Sequence, residues 1–116
     1  MGEAIALGLA REGAKVVIAG RRQARLDAVA EQADGVILTR TVDVADRDSV
    51  KALFDWLGQA LGQLHLLVNC AGINVPKRSM GELAPEDWDR LIAINATGAF
   101  NCMHYGLPLM RPHKTG

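Results

Sequence analysis

The sequence predicts an α/β protein built on a parallel β-sheet wound with helices on both faces. Helix-like and strand-like patterns alternate along the whole chain, as βαβ units require. The first strand-like run, Lys15-Val16-Val17-Ile18-Ala19, is short, mostly apolar and β-branched, the pattern of a strand covered on both faces. The chain has 116 residues, 49% of them hydrophobic, and no linker, repeat or low-complexity tract, so residues 1–116 read as one small domain or part of one.

From Glu3 to Glu12, Ile5, Ala6, Leu9 and Ala10 share a helical face, and Gly13 supplies the stop. The strand at Lys15 to Ala19 follows and ends at Gly20, Arg21 and Arg22. Leu26, Val29, Ala30 and Ala33 recur at helical spacing, Asp34-Gly35 marks a turn, and Val36 to Val42 is again β-branched, giving a second helix and a second strand. Val50, Leu53, Phe54, Leu57 and Leu61 make a third amphipathic helix closed by Gly62, and Leu64 to Asn69 reads as a third strand. A loop from Cys70 to Ala84 comes next. Pro85, Glu86 and Asp87 suit a helix first turn, through proline's preset φ and the carboxylates' attraction to the positive end of the helix dipole. That long helix should run towards Met110 and end at Arg111-Pro112. The pattern opens on a helix with no strand before it and closes on a helix with none after it, so both ends read as cut.

Composition excludes several function classes. Thirteen basic residues balance thirteen acidic ones without a long like-charge run, so neither nucleic acid nor an anionic membrane is an expected partner, and small molecules fit better. Cys70 and Cys102 form no spaced framework, which fits a reducing compartment, the cytoplasm by default. Met1-Gly2-Glu3 lacks the start of a signal peptide, and no apolar stretch approaches membrane-spanning length. No metal site is expected: Cys102 and His104 lack the further ligands of a closed zinc site, and His65 lies inside an expected strand. Trp56 and Trp88 read as packing residues, and Lys77-Arg78 as a solvated pair on a loop that could border a substrate site.

Gly2 opens the first helix, where a dinucleotide-binding fold puts its last glycine so that helix and strand pack closely and a pyrophosphate meets the helix N-terminus. Alone, it is equally a small residue near a chain start. It gains weight by leading, through about 18 residues, into Gly20-Arg21-Arg22, close to the spacing at which such folds read the ribose.

At these positions the chain resembles the short-chain dehydrogenases/reductases, and the resemblance covers nearly its whole length. Met1-Gly2 is similar to the last two positions of the family's T-G-x-x-x-G-x-G, with the preceding strand and earlier glycines absent. Leu67-Val68-Asn69-Cys70-Ala71-Gly72 resembles the family's L-V-N-N-A-G, with Cys70 in place of the second asparagine; the resemblance implies that Asn69, Ala71 and Gly72 lie along the cofactor. Asp43-Val44 matches an Asp-Val after the family's third strand, which implies that Asp43 accepts a hydrogen bond from the adenine amino group. Ile94-Asn95-Ala96-Thr97-Gly98-Ala99-Phe100 looks like the family's N-x-x-G-x-f segment, whose asparagine belongs to a catalytic tetrad with Ser, Tyr and Lys. The implied fold is a Rossmann-type doubly wound parallel sheet, incomplete because the first strand and those after the long helix are missing. The implied activity is hydride transfer between a nicotinamide cofactor and a carbonyl or alcohol substrate, in a complete protein expected to be a homo-oligomer.

Asn95 also stands out by position. Trp88, Leu91, Ile92, Ala99 and Cys102 recur at three- and four-residue steps and Asn95 falls on their stripe, where a buried amide must find partners. Either it is a satisfied core asparagine or the helix is distorted there to hold a water in a proton relay. Cofactor choice rests on Arg21 and Arg22. A 2′-hydroxyl is usually held by an acidic side chain at the end of the second strand, whereas a 2′-phosphate needs cationic donors there; this resembles the NADP-preferring pattern, with NAD second and a solvated basic turn the other reading.

The family's Y-x-x-x-K sets a lysine one helical turn from a tyrosine, where its charge lowers the phenol pKa. Tyr105 is the only tyrosine and Leu109 stands four residues on, so of the tetrad only Asn95 is present. Two functions remain open: a fragment of an NADP-dependent oxidoreductase starting at an internal methionine, or a non-catalytic remnant or nucleotide-fold interaction module. In the strand order 3-2-1-4-5-6 the missing first strand is central, so the chain is not expected to fold stably as a monomer.

Overall fold

Helix α1 (Gly2–Arg11) forms where the apolar spacing places it. It ends in a Schellman motif: Gly13, at φ 85°, donates to Ala10 O at 3.0 Å, and Ala14 to Leu9 O at 3.1 Å. Strand β1 (Val17–Gly20), helix α2 (Gln23–Glu31) and strand β2 (Leu38–Thr41) follow. β1 and β2 pair in parallel, with Val17 opposite Leu38 and Gly20 opposite Thr41. Bonds from Leu38 N to Val16 O (3.0 Å) and from Val42 N to Gly20 O (2.9 Å) carry the pairing past both ends. The structure, a computed structural model, describes residues 1–114 and 116. These fall into two compact units, Met1–Asp43 and Val44–Gly116.

In the first unit Ala6, Ile37 and Val42 are buried. Full coverage of both sheet faces is not observed: Val17 and Ile18 are half-buried, while Val36 and Leu38 are exposed. A sheet of two strands has too little area to be sandwiched on both sides.

The second unit starts with helix α3 (Arg47–Leu61), capped by Asp46, whose carboxylate accepts from Asp48 N at 2.9 Å and Ser49 N at 3.4 Å. Val50, Leu53, Phe54 and Leu57 form its buried stripe. The expected third strand, Leu64 to Asn69, is not one here. A strand exists by its ladder, and in the doubly wound order its neighbour would precede α1, where these 116 residues hold none. Leu64 N bonds to Leu109 O at 3.1 Å instead, and Leu66 and Val68 are exposed.

The long helix is present but interrupted. Helix α4 (Pro85–Ile92) runs into a π-helical segment, Ala93–Thr97, and then into helix α5 (Gly98–Met110), which ends in a 3₁₀ turn, Arg111–His113. α5 packs on α3 and buries Gly98, Asn101, Cys102 and Gly106. Among the described residues no helix is long and apolar enough to cross a membrane.

Candidate functional site

In the Met1–Asp43 unit, the parallel register decides what meets. Gly20 ends β1 opposite Thr41 at the end of β2, so Arg21 and Arg22 leave the sheet at the same rim as Asp43. That rim, the carboxyl end of parallel strands, is where open α/β sheets bind ligands. All three side chains are exposed. Gln23 fixes the chain just after the arginines: its Nε2 donates to Thr39 Oγ1 at 3.0 Å and to Asp27 Oδ1 at 2.6 Å, tying the start of α2 to β2. Gly2 is the first residue of α1, as expected. The side-chain bond of that first turn, Gln32 Nε2 to Glu3 Oε1 at 2.9 Å, runs to the end of α2 far from Arg22.

In the Val44–Gly116 unit, Asn95 and the loop after Asn69 come together. Asn95 Oδ1 accepts from Ile73 N at 2.8 Å and its Nδ2 donates to Ile73 O at 2.9 Å, so one amide mimics a strand partner for one residue. A Cβ on Gly72 would stand 3.4 Å from Asn95 Oδ1, an ordinary contact distance that places Gly72 beside the Asn95 amide. Asn69, Ala71 and Gly72 are themselves exposed, as is Cys70.

The expected buried stripe through Asn95 is corrected. Trp88, Ile92 and Asn95 are exposed, whereas Cys102 is buried. The π segment, Ala93–Thr97, puts more residues into its turn than an α-helix has, so the three- and four-residue steps before it and after it fall on different faces. Asn95 lies at the middle of that distortion. The sequence left open a satisfied core asparagine or a helix distorted there to hold a water; Asn95 is exposed, and the distortion is present.

Asn101 was missed. Its side chain is 1% exposed, its Nδ2 donates to Val44 O at 3.0 Å, and its Oδ1 accepts from Arg47 Nε at 3.4 Å. The signal available was a polar residue three positions after Gly98 and next to Cys102, on an otherwise small or apolar face. Beside it, burial pushes the Cys102 thiol above its usual range, because desolvation penalises the thiolate. Among the described residues no group of three or more His, Cys, Asp or Glu could hold a metal ion.

The profile of the short chain dehydrogenase family matches residues 1–116. The chain belongs to this family. A 3beta-hydroxysteroid dehydrogenase of Mediterraneibacter gnavus is 37% identical over 115 residues, covering 97% of this chain and 42% of that protein. The 3-oxoacyl-(acyl-carrier-protein) reductase of Thermotoga maritima is 31% identical over 119 residues, covering 100% of this chain and 48% of that protein. Among solved structures, a serine dehydrogenase from Escherichia coli superposes with a TM-score of 0.90 at 27% identity, over 99% of this chain and 53% of that one. The short-chain dehydrogenase chain therefore spans about half the length of the relatives it matches. Its two parallel strands with their helices are an incomplete Rossmann fold, and its family is one of NAD(P)-dependent oxidoreductases.

Proposed function

We propose that the chain provides the NADP-binding part of an oxidoreductase acting on a small carbonyl or alcohol. The observation that carries the cofactor choice is the rim at the end of β1: two guanidinium groups, Arg21 and Arg22, and no carboxylate before α2 begins at Gln23. This donor set fits a 2′-phosphate, which guanidinium groups bind through charge-assisted, often bidentate hydrogen bonds. When bound, the dinucleotide supplies the hydride acceptor or donor. In this reading Arg21 and Arg22 hold the 2′-phosphate, and Asp43 accepts from the adenine amine beside Val44. Gly2 lets the α1 N-terminus approach the pyrophosphate, Asn69, Ala71 and Gly72 line the cofactor, and Asn95 acts in catalysis from the π segment. The reading includes one nucleotide-binding domain over residues 1–116, a cytoplasmic setting and a homo-oligomeric complete protein.

The alternative reading is a non-catalytic nucleotide-fold module; Tyr105, followed by Leu109 four residues on, is a packing residue of α5 in either reading. Translating the flanking DNA separates the two, since a downstream Ser and Tyr-x-x-x-Lys in frame supports the enzyme and stop codons at both ends support the module. The cofactor choice is tested on the natural gene product by fluorescence titration with NADPH and NADH. NADPH should bind more tightly, and Arg21→Ala should weaken NADPH about tenfold while changing NADH little, as expected for losing one charge-assisted bond. Equal affinities for the two cofactors would overturn it.

A further inference from the structure

One stretch of helix holds two loops of the Val44–Gly116 unit. In the π segment, Asn95 grips both backbone polar groups of Ile73. Six residues on, Asn101 grips Val44 through the 3.0 Å bond from Nδ2 to the carbonyl oxygen. Gly98 presses on the same residue: a Cβ there would stand 2.6 Å from Val44 Cγ2 and 3.1 Å from Val44 Cβ. Position 98 therefore admits no side chain without moving Val44, and Asn101 admits no turn of the Val44 peptide without losing its bond.

Packing of α5 on α3 does not call for an amide at position 101. A buried amide is costly unless satisfied, and an apolar side chain of similar volume would fill the same space between α5 and its surroundings. What the amide adds is direction, since it fixes where one loop carbonyl points. The second bond, from Arg47 at 3.4 Å, is long and orients the amide so that its NH₂ faces Val44.

We propose that Asn101, with Gly98, is a positioning residue for dinucleotide binding, which sets the affinity for the adenine half of the cofactor by fixing the Val44 backbone. The inference rests on the reading of Asp43-Val44 as the adenine segment, and the experiment separates the two. Calorimetric titration of the natural gene product uses adenosine 2′,5′-bisphosphate as the probe, at a temperature where circular dichroism finds every variant folded. Asn101→Leu, which keeps the volume and removes the amide, should bind the probe about tenfold more weakly, the scale of one lost buried hydrogen bond. Gly98→Ala, which displaces Val44 without touching the amide, should repeat the loss, and it decides the matter if Asn101→Leu does not fold. A purely structural role would lower the thermal midpoint and leave the affinity of the folded protein unchanged. Wild-type affinity in both variants, with binding weakened in Asp43→Ala, overturns the positioning role and leaves the adenine reading standing. Wild-type affinity in Asp43→Ala, or no binding by the wild-type protein, overturns the adenine reading and the positioning role with it.

Discussion

Asn101 and Cys102 are adjacent and both buried, yet they meet burial in opposite ways. The asparagine brings bonds with it, to Val44 and Arg47, whereas the thiol stays neutral because its raised pKa disfavours the thiolate. Cys70 is exposed. Since the thiolate is the nucleophile, iodoacetamide at pH 8 should label Cys70 quickly and Cys102 only on unfolding. Equal labelling rates in the native protein, read by mass spectrometry, would contradict the burial. The same shift has a consequence at alkaline pH. A folded-state pKa above the ordinary 9.0 means the folded protein holds this proton more tightly, so the contribution to stability is complete below about pH 9 and is lost as pH rises through the folded value. Cys102→Ala should flatten the alkaline fall of the thermal midpoint. Residues with a motif around them, such as Asn95 and Asp43, could be picked out in the sequence. Asn101 offered only a polar residue on an apolar face, and its meaning lies in a partner 57 positions away that no local period reveals.

Helices were the legible elements, for their apolar spacing belongs to the element itself. α1, α2 and α3 lie within a few residues of where the 3.6-residue period puts them. The start of α3 was read from its first apolar residue, Val50, and so missed the turn before it, where Asp46 caps two backbone N–H groups. Asp46→Ala should cost about 1 kcal/mol, the usual value of an N-cap. It should appear as a lower denaturant midpoint at an unchanged slope, and an unchanged midpoint would mean that the cap bonds are as good to water. One misjudged strand and one helix left open depend on things outside their own sequence. Leu64 to Asn69 has strand composition but no neighbour to ladder with. The π segment is an excess residue in a helical turn; Asn95 on the apolar stripe left a distortion open as one alternative, but nothing in Ala93 to Thr97 fixes its extent.

At the scale of the whole chain, the buried apolar residues are unevenly shared. Ala6, Ile37 and Val42 serve Met1–Asp43, while Val50, Leu53, Phe54, Leu57, Val75 and Cys102 serve Val44–Gly116. Domains below about 70–80 residues rarely draw more than 3–5 kcal/mol from one core, and a two-stranded sheet adds little by itself. Among the described residues β1 pairs only with β2, which leaves its other edge without a ladder. Val36 and Leu38 in the first unit, and Leu66, Val68, Phe100 and Met103 in the second, expose apolar surface that water disfavours. Stability should therefore be graded along the chain and not uniform. In hydrogen exchange followed by mass spectrometry, amides of α1, β1 and β2 should exchange through openings of lower free energy than those of α3 and α5. In light scattering, the isolated 116-residue chain should self-associate, since both an open strand edge and exposed apolar side chains are relieved by a second copy. A monomer that unfolds in one sharp transition, with equal protection in β1 and α5, would mean that the thin first core is as cooperative as the second, and the argument from core size would fail.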